Sequence, residues 1–327
     1  MNTKRIKYLD LAKAFAILLV IVGHSYWIKD LKILFLTIYS FHVPLFFIIS
    51  GYFVKDMPLS TAFLKNSKAY LRPLVVTALI ALLLVAVGDF VWNRPVLTTV
   101  KTWAGLMLTM TGEQEAMGIT KITALWFLMA LFWGHLFFTQ ILKLKNTDQA
   151  AVVLCGIVFV TLLDKFYHLP LMIEEGVLAT FFLWIGMNFN KLEYLSPGRF
   201  TKIGWISFLI IWLLAIPCGP FFFKTISYGR LWVTIIGSIS ASLIILKICS
   251  LFENYFDGGW IGRNTLNILC GHVISFNFLK LIGFQWEKIN TPPIFLRFVI
   301  EILVMISLAM IIGWGLSHII PFKKTIK

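Results

Sequence analysis

Long apolar runs dominate the chain, and short stretches with charged, Gly or Pro residues separate them. A helix needs about 20 mainly apolar residues to cross the hydrocarbon layer of a membrane. The stretch 100–112 is apolar but too short to cross, so we expect it to be interfacial or re-entrant. The pattern predicts an all-α fold, a polytopic integral membrane bundle of about ten transmembrane helices. The predicted spans are residues 8–28, 32–55, 73–92, 122–143, 150–167, 172–189, 203–221, 229–250, 264–283 and 296–318.

The N-terminus resembles a signal peptide, because basic residues precede its first apolar run. Asp10 and Lys13 nevertheless intrude there, and Gly23–Trp27 offers no small-residue cleavage site, so we expect an uncleaved first span. Lys and Arg are more numerous in the segments on the side of the N-terminus, which predicts that both termini are cytoplasmic. No stretch between spans is long enough for a soluble domain. Residues 1–327 are therefore expected to form a single membrane-embedded domain.

The composition agrees with a membrane protein and argues against other classes. Only 13% of the 327 residues are charged and 59% are hydrophobic, whereas a soluble domain is typically about one quarter charged. The formal net charge is +14. The basic residues lie between apolar runs, as membrane anchors and phosphate ligands do, so we expect no nucleic-acid partner. The four cysteines lie in apolar segments without CxxC spacing, which argues against disulfides and against a metal site.

The first span contains Asp10, Lys13 and His24, polar residues of a kind that is costly in lipid and usually marks function. On a helix they share a face about 60° wide, and Lys13 and His24 lie roughly 16 Å apart along the axis. This arrangement suits a long anionic substrate. Lys13 would bind a phosphate or pair with Asp10, and His24 would act as a base. The alternative is a snorkelling Lys13 and a packed His24.

The second span and the loop after it contain further candidates. His42 lies next to Pro44, and proline kinks or breaks a helix. His42 therefore either binds a ligand or donates a hydrogen bond to a carbonyl that the break exposes. Lys65, Lys68 and Arg72 recur at i, i+3 and i+7, on one helical face. They either clamp phosphates on the cytoplasmic side or only anchor the topology.

Two candidates lie in later spans. Trp126 begins the fourth span, where a tryptophan at the membrane interface is common in any membrane protein. His272 lies in the ninth span, about 20° around the helix from Thr265. It either packs in the bundle or contributes to binding or catalysis.

Motifs at five places in the chain together resemble the acyltransferase-3 family of membrane acyltransferases. The hallmark of that family is an Arg and a His separated by ten residues in the first span, and here Lys13 precedes His24 by the same spacing. The order and spacing of the motifs agree over nearly the whole chain. The motifs are Tyr8–Lys13 with Gly23–Ser25, Phe41–Phe47 with Ser50–Phe53, Lys68–Pro73, Leu125–Leu128, and Gly262–Leu266 with His272.

The resemblance implies transfer of an acyl group, most often acetyl, from cytoplasmic acyl-CoA to a hydroxyl of an envelope or exopolysaccharide sugar. Acetyl-CoA or another acyl-CoA is then the co-substrate, and the partners are a sugar or polysaccharide acceptor and the lipid bilayer. His24 is the base or the acyl carrier, with Asp10 and Lys13 as the other catalytic residues. The implied acyl-CoA ligands are Lys13, Lys65, Lys68 and Arg72, and the implied substrate-binding residues are His42, Trp126 and His272.

Lys13 is the departure from the family pattern, because Lys lacks the bidentate fork of Arg. In this it resembles a subgroup of fucose and exopolysaccharide O-acetyltransferases. The implied location is the bacterial cytoplasmic (inner) membrane, and the oligomeric state stays open. The main alternative is a membrane transporter or exporter of a glycan or small solute that uses the same polar residues. Internal repeats would favour it, and the sequence shows none. A non-catalytic scaffold explains neither the polar face nor the motifs.

Overall fold

The computed structural model describes residues 6–109, 123–163, 166–167, 169–191, 200–219, 230–289, 291 and 293–319. Both chain ends, whose cytoplasmic location was predicted, lie outside these ranges, and so do residues 110–122. The described residues form α-helices and short 3-10 or π turns, without a β-strand. The α-helices are α1 Lys7–Gly23, α2 Lys32–Tyr39, α3 His42–Gly51, α4 Leu59–Asn66, α5 Arg72–Val91, α6 Val96–Thr109, α7 Trp126–Ile141, α8 Asn146–Leu163, α9 Ile173–Lys191, α10 Lys202–Ala215, α11 Leu231–Phe252, α12 Gly259–Arg263, α13 Thr265–Leu281 and α14 Ile294–Ile319.

Several of these helices are suited to a membrane. Shorter apolar helices lie at Trp126–Ile141, Lys202–Cys218 and Thr265–Leu281. Each of the ten predicted spans contains a helix, but length and composition single out five of them. Within the described part of the chain, the stretches long and apolar enough to cross a bilayer are Lys32–Gly51, Leu59–Val91, Asn146–Leu163, Leu231–Phe252 and Ile294–Ile319.

The first two predicted spans are each interrupted, the first without a signal in the sequence and the second close to Pro44, where a kink or break was predicted. α1 ends at Gly23, and a 3-10 turn follows at Tyr26–Asp30. The second span is two helices, and the break at Ser40 and Phe41 precedes Pro44. Pro44 lies in the first turn of α3, where a missing backbone N–H costs no hydrogen bond. The proline therefore starts a helix instead of kinking one.

The helices form two compact units, each built from separate stretches of chain. The first unit comprises Met1–His24, Ile28–Lys55 and Phe181–Thr265. In it α1 packs against α2, α3, α11 and α12, and α10 packs against α11. Glycines allow close helix contact: a Cβ at Gly51 would lie 3.0 Å from Leu183 Cα, and one at Gly186 would lie 3.0 Å from Ile48 Cα. This reciprocal packing of α3 on α9 is typical of membrane helices, where small residues let backbones approach.

The second unit comprises Ser25–Trp27, Asp56–Thr180 and Leu266–Lys327. One of its cores joins α5, α13 and α14 around Cys270, Ile274 and Leu316. Another joins α4 and α7 around Ala62, Phe132 and Leu136. Since α5 has 20 residues, its ends lie about 30 Å apart, which matches the hydrocarbon thickness of a bilayer.

Candidate active site

Three motifs that are distant in the sequence meet at the N-terminal end of α1, in the first unit. The backbone N–H of Tyr8 donates to the Glu253 carboxylate at 3.0 Å, which also places a negative charge at a helix N-terminus. The Tyr8 and Tyr52 hydroxyls share a hydrogen bond. A Cβ at Gly262 would lie 2.9 Å from Asp10 Cα, so only glycine lets α12 approach this turn of α1. The motif glycine at 262 is therefore a packing requirement.

Asp10 and Lys13 form a pair on α1, as their spacing predicted. The Lys13 Nζ lies 3.9 Å from Asp10 Oδ1, with the two side chains 24% and 13% exposed. The same ammonium lies 4.8 Å from the ring centroid of Phe53. A cation over an aromatic face is favourable by about 0.5–1 kcal/mol where the site is exposed. Lys13 is thus held between a carboxylate and an aromatic ring of the second motif.

His24 lies at the other end of α1, where the helix stops. It is the C-cap residue, and its backbone N–H still donates to Val20 and Ile21. Tyr39 fixes this end, because its hydroxyl donates to the Gly23 carbonyl at 3.0 Å. The His24 and Tyr39 rings meet edge to face, with centroids 6.5 Å apart. A helix C-terminus has a partial negative charge, which stabilises positive charge that develops on an imidazole there.

His42 contacts the same tyrosine. Its ring lies edge to face with Tyr39 at 4.9 Å, so Tyr39 connects the two predicted histidines within the first unit. The His42 Nδ1 lies 2.7 Å from the Ile38 carbonyl. A carbonyl only accepts, so Nδ1 is the donor and Nε2 has the lone pair in the neutral ring. The contact supports the predicted alternative of a hydrogen bond across the helix break.

Tyr39 is a residue that the sequence reasoning missed. It lies two residues before the second motif, and the sequence pattern assigns it no role. One signal was available: Tyr39 precedes His42 by three residues, which places the two on one face of a continuous helix. The break at Ser40 and Phe41 makes this spacing argument unsafe, and only the folded chain shows the contact with His24.

The basic segment lies in the second unit, and its local structure differs from the prediction. Residues Ser67–Leu71 form a π-helical turn between α4 and α5. The i, i+3, i+7 pattern assumed α-helical periodicity, so Lys65, Lys68 and Arg72 do not share one α-helical face. Lys68 and Arg72 are exposed. π-turns inside α-helices are frequent at functional sites.

The π turn presents an aromatic pair to α7. Tyr70 stacks on His135, with ring centroids 5.4 Å apart, and Lys65 lies within electrostatic reach of the His135 imidazole. The stacking packs the His135 imidazole of α7 against the π turn.

The remaining predicted residues also lie in the second unit. Trp126 is the first residue of α7 and contacts Phe127 edge to face at 6.2 Å. His272 is 1% exposed within α13, with its ring 4.7 Å from that of Phe276. The structure therefore groups Asp10 with Lys13, and His24 with His42. No group of three or more His, Cys, Asp and Glu in the described ranges could hold a metal ion.

Comparison with known proteins identifies the class. Residues 6–318 match the model of the acyltransferase-3 family, described as an acyltransferase domain. No curated protein matches the chain. No solved structure matches it either. The match covers nearly the whole chain, so the protein belongs to the acyltransferase-3 family and is a multi-pass membrane acyltransferase with an acyl donor as co-substrate.

Proposed function

We propose that the protein transfers an acetyl group from cytoplasmic acetyl-CoA to a hydroxyl of an envelope or exopolysaccharide sugar, in the bacterial cytoplasmic membrane. The observation that supports this best is the placement of His24 at the C-terminal end of α1, next to Tyr39. Family membership supplies the class of reaction, and His24 supplies a group suited to its proton transfer.

The chemistry needs a base for the acceptor. The hydroxyl oxygen attacks the thioester carbonyl carbon, the C–S bond breaks, and the hydroxyl proton goes to His24. His24 then returns this proton to the departing CoA thiolate. In the covalent variant His24 first takes the acetyl group as the C–S bond breaks and the thiolate leaves. It then releases the acetyl group to the hydroxyl oxygen, whose proton passes to the CoA thiolate. Both routes start from a neutral imidazole, and both place positive charge on a ring that the end of α1 stabilises.

The donor is held by positive charge. Lys68 is exposed in the π turn and Arg72 is exposed directly after it, at the start of α5, where we expect both to reach phosphates in the aqueous phase. Arg binds a phosphate in bidentate fashion, whereas Lys acts as a point charge. Lys65 adds to this charge. Lys13, oriented by Asp10 and Phe53, is proposed as a further ligand of the donor, and Asp10 acts through Lys13.

Three more residues are proposed substrate contacts: His42, Trp126 and His272. His42 has a defined tautomer, so its Nε2 can accept a hydrogen bond from a hydroxyl. Trp126 can stack on an apolar substrate face from the start of α7. His272 is buried, so contact with substrate there requires that the substrate enter the bundle.

The direct test substitutes His24. Wild type and His24→Ala are purified in lipid nanodiscs and given radiolabelled acetyl-CoA with envelope glycan. We expect transfer to fall about a hundredfold or more, since a positioned general base is typically responsible for at least this factor. His318→Ala is the matched control, because His318 is exposed at the end of α14 and its ring nitrogen hydrogen-bonds to the Trp314 carbonyl of its own helix. It should leave transfer unchanged.

Equal transfer by wild type and His24→Ala would remove His24 from the chemistry. Omitting the glycan separates the two routes. A labelled acetyl group that stays on wild type but not on His24→Ala supports the covalent carrier, and no retained label supports the general base.

A second test addresses the donor. The double substitution Lys68→Gln and Arg72→Gln removes two charged phosphate ligands, and each such hydrogen bond typically contributes about 1.5–3 kcal/mol. We expect the Kd for acetyl-CoA to rise at least about tenfold, measured with radiolabelled ligand. Lys145→Gln is the control, because Lys145 is also exposed and basic but belongs to the segment between α7 and α8 and not to the π turn. An unchanged Kd in the double variant would mean that Lys68 and Arg72 only set the topology.

A further inference from the structure

Two parallel helices of the second unit end side by side in the same way. After α5, Arg94 N–H donates to the Asp89 carbonyl at 2.7 Å and Asn93 N–H donates to the Phe90 carbonyl. Asn93 has φ +51°. This is a Schellman motif, with asparagine in the left-handed position that usually takes glycine. α5 therefore stops in a fixed turn that folds Arg94 back over Asp89.

α13 ends in a second Schellman motif. Phe284 N–H donates to the Leu279 carbonyl at 2.9 Å. Gly283 has φ +74°, and its N–H donates to the Lys280 carbonyl. Trp92 joins the two ends, because its indole N–H donates to the Leu281 carbonyl at 3.0 Å. A Cβ at Gly283 would lie 2.6 Å from Trp92 Cζ2. Glycine is therefore needed here both because φ is positive and because a side chain would overlap the Trp92 ring. The indole packs on the backbone there and is still 50% exposed.

A small recess opens between these helix ends. Its lining includes Asp89, Trp92, Arg94, Asn277 and Lys280. Its volume of about 10 Å³ corresponds to one water-sized group. A whole sugar ring cannot enter, but a single hydroxyl can.

Asn277, which lines this recess, has a buried acceptor without a donor in the described part of the chain. The side chain is 0% exposed, and its Nδ2 donates to the Val273 carbonyl at 2.8 Å. That contact fixes the orientation of the amide, because a carbonyl only accepts. Among the described residues no group donates to its Oδ1. A buried acceptor without a donor costs about 1–3 kcal/mol, so a ligand hydroxyl that donates here gains that amount.

The charges around the recess favour a neutral ligand. Lys280 and Arg94 are cations, and Asp89 is a buried carboxylate near both. The ends of α5 and α13 each add about half a negative charge. The cations are therefore nearly balanced, so neither an anion nor a cation is strongly attracted.

We propose that this recess, bounded by the ends of α5 and α13, binds one hydroxyl of a neutral pyranoside acceptor while the sugar ring stacks on Trp92. The hydroxyl donates to Asn277 Oδ1, and the apolar face of the ring covers the exposed indole. The inference rests on the proposed function, which places Arg72 on the cytoplasmic side. The recess lies at the opposite end of α5, about 30 Å away, where an envelope sugar is available.

The test measures sugar binding without transfer. Full-length protein in nanodiscs is titrated with methyl pyranosides of glucose, galactose, mannose and fucose, and binding is followed by saturation-transfer NMR. Each binding sugar is then compared with analogues in which fluorine replaces one hydroxyl, since fluorine fills the same space but donates no hydrogen bond. We expect one position at which fluorine weakens binding about tenfold.

Substitutions assign that position to the recess. In Asn277→Leu the parent sugar should bind about tenfold more weakly, and the same fluorine should cause no further loss. Trp92→Leu should weaken the binding of every sugar in the series. Lys288→Gln, exposed after α13, and Trp314→Leu, exposed on α14, are controls that should bind as wild type. If Asn277→Leu does not fold, the fluorinated series on wild type still probes the contact.

The outcomes separate this inference from the proposed function. An absence of saturable binding to wild type would overturn the inference. The inference would also be overturned if neither Asn277→Leu nor replacement of a hydroxyl by fluorine changed the affinity for the sugar, because the recess would then hold water only. If the wild type still transferred acetyl groups in that case, the proposed function would remain intact. Asn277-dependent binding in a protein that transfers nothing from acetyl-CoA would support the recess and overturn the proposed function.

Discussion

The two ends of α1 are held in different ways. At the N-terminal end the backbone of Asp10 lies directly against Gly262, and the Tyr8 N–H has a carboxylate partner. At the C-terminal end Gly23 and His24 meet a side chain instead, because the Tyr39 hydroxyl donates to the Gly23 carbonyl and the Tyr39 ring contacts that of His24. A backbone contact cannot adjust to an added atom, whereas a ring edge can move by a fraction of an ångström.

This difference separates stability from activity along one helix. Substitutions at the N-terminal end are expected to cost folding free energy because they force two helices apart. Substitutions at the C-terminal end are expected to leave the fold intact and to change the geometry of His24. The predictions below test this division, beginning with the largest expected effect.

Gly262→Ala should be the most damaging change. Alanine favours a helix over glycine by about 1 kcal/mol, but its Cβ would overlap the Asp10 backbone, and overpacking of this kind costs about 3 kcal/mol. The clash therefore outweighs the helix preference. We expect a clear fall in the midpoint of thermal unfolding in detergent, together with a lower yield.

The control for Gly262→Ala is Gly315→Ala. Gly315 lies inside α14, and a Cβ there would meet no atom of the described residues within 4 Å. Only the helix preference acts, so the midpoint should stay the same or rise. If both variants unfold at the same temperature, the contact between α12 and α1 does not hold this end of the helix.

Lys13 lies at the same end but should affect the donor more than the fold. Its partly exposed ion pair with Asp10 and its contact with Phe53 each contribute about 1 kcal/mol or less. Lys13→Gln should raise the KM for acetyl-CoA about tenfold, as loss of one charged phosphate ligand does. Lys13→Arg should keep KM near the wild-type value. A KM that is equal in all three proteins, measured by radiolabelled transfer, would leave Lys13 a purely structural residue.

The apolar runs predicted the helices well, because spanning a bilayer constrains length and composition more strongly than any other environment. The end of α1 at Gly23 could not be predicted, since no residue there forbids a helix. Pro44 did indicate a break in the second span, and the structure places that break at Ser40 and Phe41. The π turn at Ser67–Leu71 could not be predicted either, because its sequence is compatible with an ordinary α-helix.

The candidate site was predictable only in part. The spacing of Asp10 and Lys13 correctly indicated a pair, since i, i+3 residues are neighbours on a helix. The contact of Asp10 with Gly262 joins residues far apart in sequence, and neither periodicity nor charge reports it. Asn277 was missed for the same reason: its unsatisfied acceptor exists only because the ends of α5 and α13 meet. The motif resemblance marked Gly262 without indicating why glycine is required there.

Tyr39→Phe should give the smallest effect and the clearest separation of activity from stability. The substitution keeps the ring beside His24 and His42 but removes the hydrogen bond to the Gly23 carbonyl, which contributes about 1 kcal/mol. If Tyr39 positions His24, kcat should fall about fivefold, while the KM for acetyl-CoA and the unfolding midpoint stay near wild type. Tyr255→Phe, at an exposed position after α11, should change none of these. A lower midpoint with unchanged kcat would show instead that the hydroxyl only stabilises the end of α1, and the two ends of the helix would then differ in degree and not in kind.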